Sequence, residues 1–129
     1  MKTSFELLID RHLAANGEPD FHRRAAAVAQ VWAADGRLID PPLQAAGHDT
    51  IAAQTQTPTL LSHYPGHRFV STRALGAHNG FARYGWQLQD AQGNAAVEGF
   101  DFAEIDAVNG KLKSVIGFFG PLPAPTAVA

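Results

Sequence analysis

Cysteine is absent from the 129 residues. That one absence removes thiol nucleophiles, iron–sulfur clusters, thiolate zinc sites and disulfides. It suits a reducing compartment, and a cytoplasmic location is the expectation. An excess of one charge is also lacking. Ten Lys and Arg stand against twelve Asp and Glu, for a formal net charge of -2, which argues against a nucleic-acid partner because such proteins usually carry a basic stripe. Charged residues make up 17% of the chain and form no block long enough for a disordered arm. No apolar run can span a bilayer. The N-terminal stretch is interrupted by Glu6, Asp10 and Arg11, so it is neither a transmembrane helix nor a signal-peptide core, and no membrane partner is expected. There is no internal repeat, no phosphate-cradling glycine loop and no H-E-x-x-H, so no nucleotide cofactor and no metal is expected. His63 and His67 have the spacing of half a zinc site, but Pro65-Gly66 breaks any helix that would align them.

What is present is a globular composition, 46% hydrophobic, at a length that suits one domain with a single core. The domain is expected over residues 1–120. The Pro-rich tail 121–129 cannot extend a strand. Thr3 and Glu6 have capping-box spacing, and Phe5, Leu8, Ile9, His12 and Leu13 recur at helical intervals until Asn16-Gly17. Asp20 is a good N-cap for a second helix with the stripe Phe21, Ala25, Val28 and Trp32, stopped by Asp35-Gly36. A short strand, Arg37–Asp40, runs into Pro41-Pro42, which force an edge or a turn. Gly47 to Leu61 reads as a third helix, kinked or divided by Pro58. The period then changes. Residues 68–77 and 81–89 bracket His78-Asn79-Gly80, and Asp90–Asn94 is a further turn. Helices first and four antiparallel strands afterwards predict an α+β domain, its helices packed on one face of a curved sheet.

The most informative stretch is Asn94–Gly120. Its two apolar runs flank Asp106–Gly110, and Asn109-Gly110 is a hairpin signal because both residues accept positive φ. Strand alternation puts Val97, Gly99, Asp101, Ala103 and Ile105 on one face, and Glu98, Phe100, Phe102 and Glu104 on the other. Asp101 is thus the one charge on a face of small and apolar residues, where a carboxylate is either desolvated or held by a partner. By the same alternation Tyr84, Trp86 and Leu88 share a face, as do Val115, Gly117 and Phe119. Gly99 and Gly117 either leave room for a ligand or let the sheet bend.

The order of these segments resembles the nuclear transport factor 2-like superfamily, in particular its ketosteroid-isomerase-like and SnoaL-like branches. The carrying residues are Ala33–Pro41, Gly47–Ile51, His78-Asn79-Gly80 and Asp101–Asp106. The resemblance covers nearly the whole chain after residue 20. It implies a cone made by a curved mixed or antiparallel sheet and three helices. It further implies that Asp40, followed by proline, matches a general-base aspartate, and that Asp101 matches a protonated oxyanion-hole aspartate. One departure is clear: Ile9–His12 holds no tyrosine where the isomerases carry a second oxyanion donor. The ending Val115–Pro123 is closer to SnoaL-like proteins than to true isomerases.

Each candidate has a plainer role beside the functional one. Asp40 is a general base or the cap of a Pro-Pro turn. Asp101 is a neutral donor or a buried carboxylate satisfied by core partners. Trp32, Tyr84, Trp86, Val97, Gly99, Val115, Gly117 and Phe119 line a pocket for a flat, small hydrophobic molecule, or belong to ordinary core. His12 and His78 are structural partners, either able to bond an aspartate. Three functions fit: isomerisation or aldol-type cyclisation of a carbonyl compound, ligand binding without turnover, and epoxide hydrolysis in which Arg73 or Arg83 orients a carboxylate. Arg83 sits opposite Tyr84, which counts against it. Finally, Phe100, Phe102, Ile116 and Phe118 should form an outer apolar patch and a homodimer interface.

Overall fold

A computed structural model of the chain describes residues 4–41, 43–54 and 60–120, the side chains of Gln54, Arg73 and Ala74 excepted. The expected capping residue Thr3, the breaks at Pro42 and Pro58, the tail 121–129 and the Arg73 side chain lie outside the described residues. The elements run α1 (Ser4–Asn16), α2 (Phe21–Val31), β1 (Trp32–Asp40), β2 (Leu43–Ala46), α3 (His48–Gln54), β3 (Arg68–His78), β4 (Phe81–Gln89), β5 (Ala95–Ile105) and β6 (Leu112–Phe119). The strands form one six-stranded sheet in the order β2-β1-β6-β5-β4-β3. Among the described residues only β1 and β6 pair in parallel. The result is the expected α+β cone, with three helices on one face of a mixed sheet.

The helices follow the apolar stripes, with two corrections. In α1 the stripe buries Ile9, His12 and Leu13, and Asn16 one turn further on. Asp20 caps α2 by accepting from the Arg23 N–H at 2.9 Å. However, α2 ends at Val31, not at Asp35-Gly36. Trp32 is already extended (φ -99°, ψ 142°), while its N–H still bonds the Val28 carbonyl. Helix passes into strand with no loop between, and a register shift between Trp32 and Arg37 takes up Asp35 and Gly36 inside β1. Phe21, at the head of the expected stripe, is 46% exposed, and Arg24 is buried in α2 instead. Its Nε donates to the Ala52 carbonyl at 2.7 Å and its guanidinium to the Glu18 carbonyl at 2.8 Å, so the buried charge locks α2 to α3.

Two further expectations change. Residues 43–46 form an edge strand, β2, paired antiparallel with β1. The third helix starts as expected, His48–Gln54, after Gly47 at φ 85°; residues 55–59 lie outside the described residues, and 60–63 are again helical. Asn79-Gly80 forms the expected tight turn with φ of 51° and 79°. Asn109-Gly110 lies in the expected hairpin, β5 and β6 pairing antiparallel on either side of it, but Gly110 alone takes positive φ (71°) there, in a longer loop closed by Asp106 N–H to the Lys111 carbonyl and Gly110 N–H to the Asp106 carbonyl, both 2.8 Å.

Register positions the site. Tyr84, Asp101 and Gly117 lie in one row across β4, β5 and β6, and Trp86, Gly99 and Phe119 in the next. Ile39 pairs with Ile116, which places Asp40 beside Gly117. The helix-facing side holds the core, including Ile9, Leu13, Leu38, Tyr84, Leu88 and Val115. The other side exposes Phe100, Phe102, Ile116 and Phe118.

Candidate active site

Asp101 is 6% exposed because its strand face is covered by α1 and the neighbouring aromatic residues. Both of its oxygens accept hydrogen bonds. The Tyr84 hydroxyl donates to Oδ2 at 2.7 Å and the Trp86 indole N–H to Oδ1 at 3.1 Å. Burial pushes the carboxyl up from 3.8 to about 7, the Asp40 charge adds to the rise, and the two donors resist it. Tyr84 is raised well above 10, chiefly by burial and then by the Asp101 charge. Its hydroxyl therefore stays protonated and spends its proton on Asp101.

Asp40 is 8% exposed and closes β1 next to β6. The point where a Cβ on Gly117 would stand falls against Asp40 Oδ1 and lies 2.9 Å from Asp101 Oδ1. The missing side chain is therefore occupied by two carboxyl groups converging from either side. Gly99 acts similarly one row away, where a Cβ would lie 2.7 Å from the Trp86 ring and against the Phe118 carbonyl. Neither glycine leaves open room for a ligand. Gly99 admits the indole, and Gly117 lets the carboxylates meet.

The carboxylates border a narrow cleft of about 10 Å³ between sheet and helix. Its sheet side is Leu38, Asp40, Phe69, Trp86 and Asp101, and its helix side His12, Leu13 and Asn16. Next to it, between α1 and β3, lies a cavity of about 830 Å³ whose walls include Leu13 and Phe69 as well. The larger cavity has the room and the smaller cleft has the carboxylates, and Leu13 and Phe69 are the wall the two share.

Of the residues expected to line a pocket, Trp86 does so. Tyr84 stands behind Asp101. Trp32 and Val115 are core, the Trp32 ring meeting His12 edge-on with centroids 5.5 Å apart. Val97 is partly buried against the core. Phe119 is 41% exposed and touches only the edge of this group, its ring 5.9 Å from that of Trp86. The sequence reading misses Leu13, Asn16, Leu38 and Phe69, and His12 as a cleft residue. Periodicity could have found four of them: His12, Leu13 and Asn16 share the α1 stripe, and Leu38 is two residues from Asp40 on the same strand face.

Arg83 is exposed on the outer face, so it does not orient either carboxylate. His78 is exposed at the end of β3 with Nδ1 3.1 Å from Asn79 Oδ1, and His67 Nδ1 lies 3.1 Å from the Pro65 carbonyl. Among the described residues no group of three His, Cys, Asp or Glu could hold a metal ion, and no helix is long and apolar enough to cross a membrane.

No family model matches the chain, and no curated protein matches its sequence. Solved structures do match. A ketosteroid isomerase, provisionally so described, from Kribbella flavida DSM 17836 is 18% identical with a TM-score of 0.59, covering 97% of this chain and 84% of its own. A nuclear transport factor 2-like protein of unknown function from Mesorhizobium loti is 18% identical with a TM-score of 0.58, covering 94% and 97%. These two show the fold alone: the molecule has a nuclear transport factor 2-like fold. A SnoaL-like family protein from Agrobacterium tumefaciens str. C58, provisionally described as an isomerase, is 30% identical with a TM-score of 0.79, covering 93% of this chain and all of its own (100%). The chain belongs to the SnoaL-like family.

Proposed function

We propose that the protein is an acid/base enzyme acting on a small hydrophobic carbonyl compound, steroid- or polyketide-like, which it isomerises or closes by an aldol-type step. The observation that carries this reading is the meeting of Asp40 and Asp101 over Gly117. Two carboxyl groups that close cannot both ionise freely, so the pair holds one proton near neutral pH. Ketosteroid isomerase is itself the known case of an aspartate kept neutral so that it can donate to an oxyanion. Here Asp101 is the more enclosed member and keeps the proton, while Asp40 is the base.

In the forward step the α-C–H bond breaks and its proton passes to an Asp40 oxygen. The electron pair moves onto the carbonyl oxygen, which takes a hydrogen bond from the Asp101 hydroxyl. Return of the proton to another carbon completes an isomerisation; attack of the enolate carbon on a second carbonyl closes a ring, re-forming the first carbonyl, and the new alkoxide takes back the proton held by Asp40. The base and the hydrogen-bond donor are both side chains of this chain, so the reading calls on no cofactor. Tyr84 and Trp86 hold Asp101 in place, Tyr84 from behind and Trp86 from the cleft wall, which answers the absence of a helix tyrosine only indirectly.

The test is deuterium exchange at the α-carbon of a bound ketone, followed by NMR. Wild type should exchange, Asp40→Asn should not, and Asp101→Asn should keep a fraction because it still donates. Exchange that survives Asp40→Asn would end the proposal. Binding with no exchange in wild type would make the protein a ligand-binding module.

One observation favours a second reading. The cleft's volume is about that of one water-sized sphere, and its polar walls suit a water with several partners. A carboxylate there could activate that water for hydrolysis of an epoxide. Incorporation of ¹⁸O from labelled water into a diol product would distinguish this reading from enolisation.

A further inference from the structure

His12 is the buried polar group that the carboxylate chemistry leaves unused. It is 1% exposed, and among the described residues neither Nδ1 nor Nε2 has a hydrogen-bond partner. Its ring meets the edge of the Trp32 ring instead. An imidazole with both nitrogens desolvated and unmatched is costly, and native proteins rarely keep such a group without a use or a bound molecule to satisfy it. Its position supplies the use. His12 lies on the helix side of the cleft whose sheet side carries Asp40 and Asp101.

We propose that His12 is a third polar member of this site, donating a ring N–H to the carbonyl oxygen of the bound substrate from the helix side. The inference rests on the carbonyl reading given above and adds a residue to it. The oxygen that becomes negative as Asp40 removes the α-proton then has donors on two walls, the Asp101 hydroxyl from the sheet and the His12 N–H from α1. No proton moves onto or off the imidazole. It is a neutral electrophile, and burial suits it to that role by holding its pKa down from 6.5 to about 4. A neutral ring also avoids placing a cation that would draw both carboxylates out of their one-proton state. The charged or titratable groups on the wall it faces are Asp40 and Asp101, with Tyr84 behind Asp101. The ligand class follows: a compound whose acceptor oxygen reaches into the narrow cleft while its apolar body stays toward Leu13 and Phe69.

The probe is 2-naphthol, a flat phenol whose oxygen mimics an enolate. In wild type, ¹H–¹⁵N spectra of the histidine rings and tryptophan indoles are recorded with and without it. The expected result is a downfield move of the His12 N–H and a single ring tautomer, together with a shift of the Trp86 indole N–H. His12→Phe should bind naphthol about tenfold to a hundredfold more weakly, the range for a hydrogen bond to a charged oxygen. It should melt no lower than wild type, because two unmatched polar atoms are gone. His12→Gln, which keeps a donor, should recover part of the affinity. A Trp86 shift with a silent His12 ring overturns the proposal and leaves the carboxylate reading standing, as does naphthol affinity unchanged in His12→Phe. If naphthol moves neither Trp86 nor His12, the carboxylate reading fails and this one with it.

Discussion

Asp40 and Asp101 reach the same point above Gly117 from the strands on either side of it. Because β6 lies between β1 and β5, the pair depends on a residue with no side chain between them. Gly117→Ala puts a methyl where the Asp40 carboxyl group is and 2.9 Å from Asp101 Oδ1. The carboxylates must separate. We expect α-proton exchange to fall at least about a hundredfold, the scale on which a small misplacement of reacting groups acts. Overpacking should cost about 1–3 kcal/mol of stability. Exchange rates and urea unfolding check both. An alanine variant that exchanges like wild type would show that the carboxylates do not work as a pair.

Trp86 is a built-in reporter of Asp101, since its indole N–H donates to Asp101 Oδ1 at 3.1 Å. A carboxyl that gains and loses charge at that distance changes the field on the ring. Intrinsic fluorescence should therefore titrate with a midpoint near the raised value of about 7. The transition should vanish in Asp101→Asn and in Trp86→Phe, leaving Trp32 as background. A flat profile between pH 5 and about 9 in wild type would mean that Asp101 keeps an ordinary carboxylate pKa.

The pH dependence of stability separates Asp101 from His12, because their shifts have opposite signs. Asp101 rises from 3.8 to about 7. Between those values the folded protein holds a proton that the unfolded chain has lost, so this group's contribution falls as pH rises through the window. His12 drops from 6.5 to about 4. There the unfolded chain holds the proton, so its contribution is lost as pH falls from 6.5 to about 4. The slopes nearly cancel in wild type. Relative to wild type, Asp101→Asn should gain stability with rising pH across this range, and His12→Phe should lose it, each by on the order of a few kcal/mol. Chemical denaturation at a series of pH values reads both differences. Parallel curves for all three proteins would contradict the buried, shifted state of both groups.

The inward facing of Asp101, Tyr84 and Trp86 is legible in the sequence because strand alternation is a local property and the turns at Asn79-Gly80 and Asp90–Asn94 bound the strands clearly. Asp20 as a cap is legible for the same reason. What escapes depends on partners distant in the chain. Nothing around Gly117 announces that Asp40 will lie beside it, since that needs the parallel pairing of β1 with β6. Trp32 fits a helix stripe and a strand start equally well, so local pattern does not mark the end of α2. Residues 43–46 are too short a strand to show a period. His12 resembles any polar residue in an amphipathic stripe; only packing shows that it is enclosed without a partner among the described residues.

The outer sheet face carries the last prediction. Phe102 and Phe118 are 50% and 52% exposed, and their rings meet edge-on with centroids 6.0 Å apart. Phe100 and Ile116 pair across to them in the β5–β6 register, so the four form one continuous apolar patch rather than scattered residues. A surface of this kind in water is costly, and a second copy of the same face is a natural cover because an isologous contact needs only a self-complementary patch. Arg83, Glu98 and Glu104 lie on the same outer face, charges of both signs that a two-fold axis can set against each other. We expect a homodimer through the sheet. Phe118→Asp would bury a carboxylate against phenyl rings in that dimer, an arrangement with no compensating partner. Light scattering at micromolar concentration should give a dimer mass for wild type and a monomer mass for Phe118→Asp, with the Asp101 fluorescence transition preserved in both because the inner face is untouched. A wild-type protein that scatters as a monomer would show that this patch is not covered by a second copy.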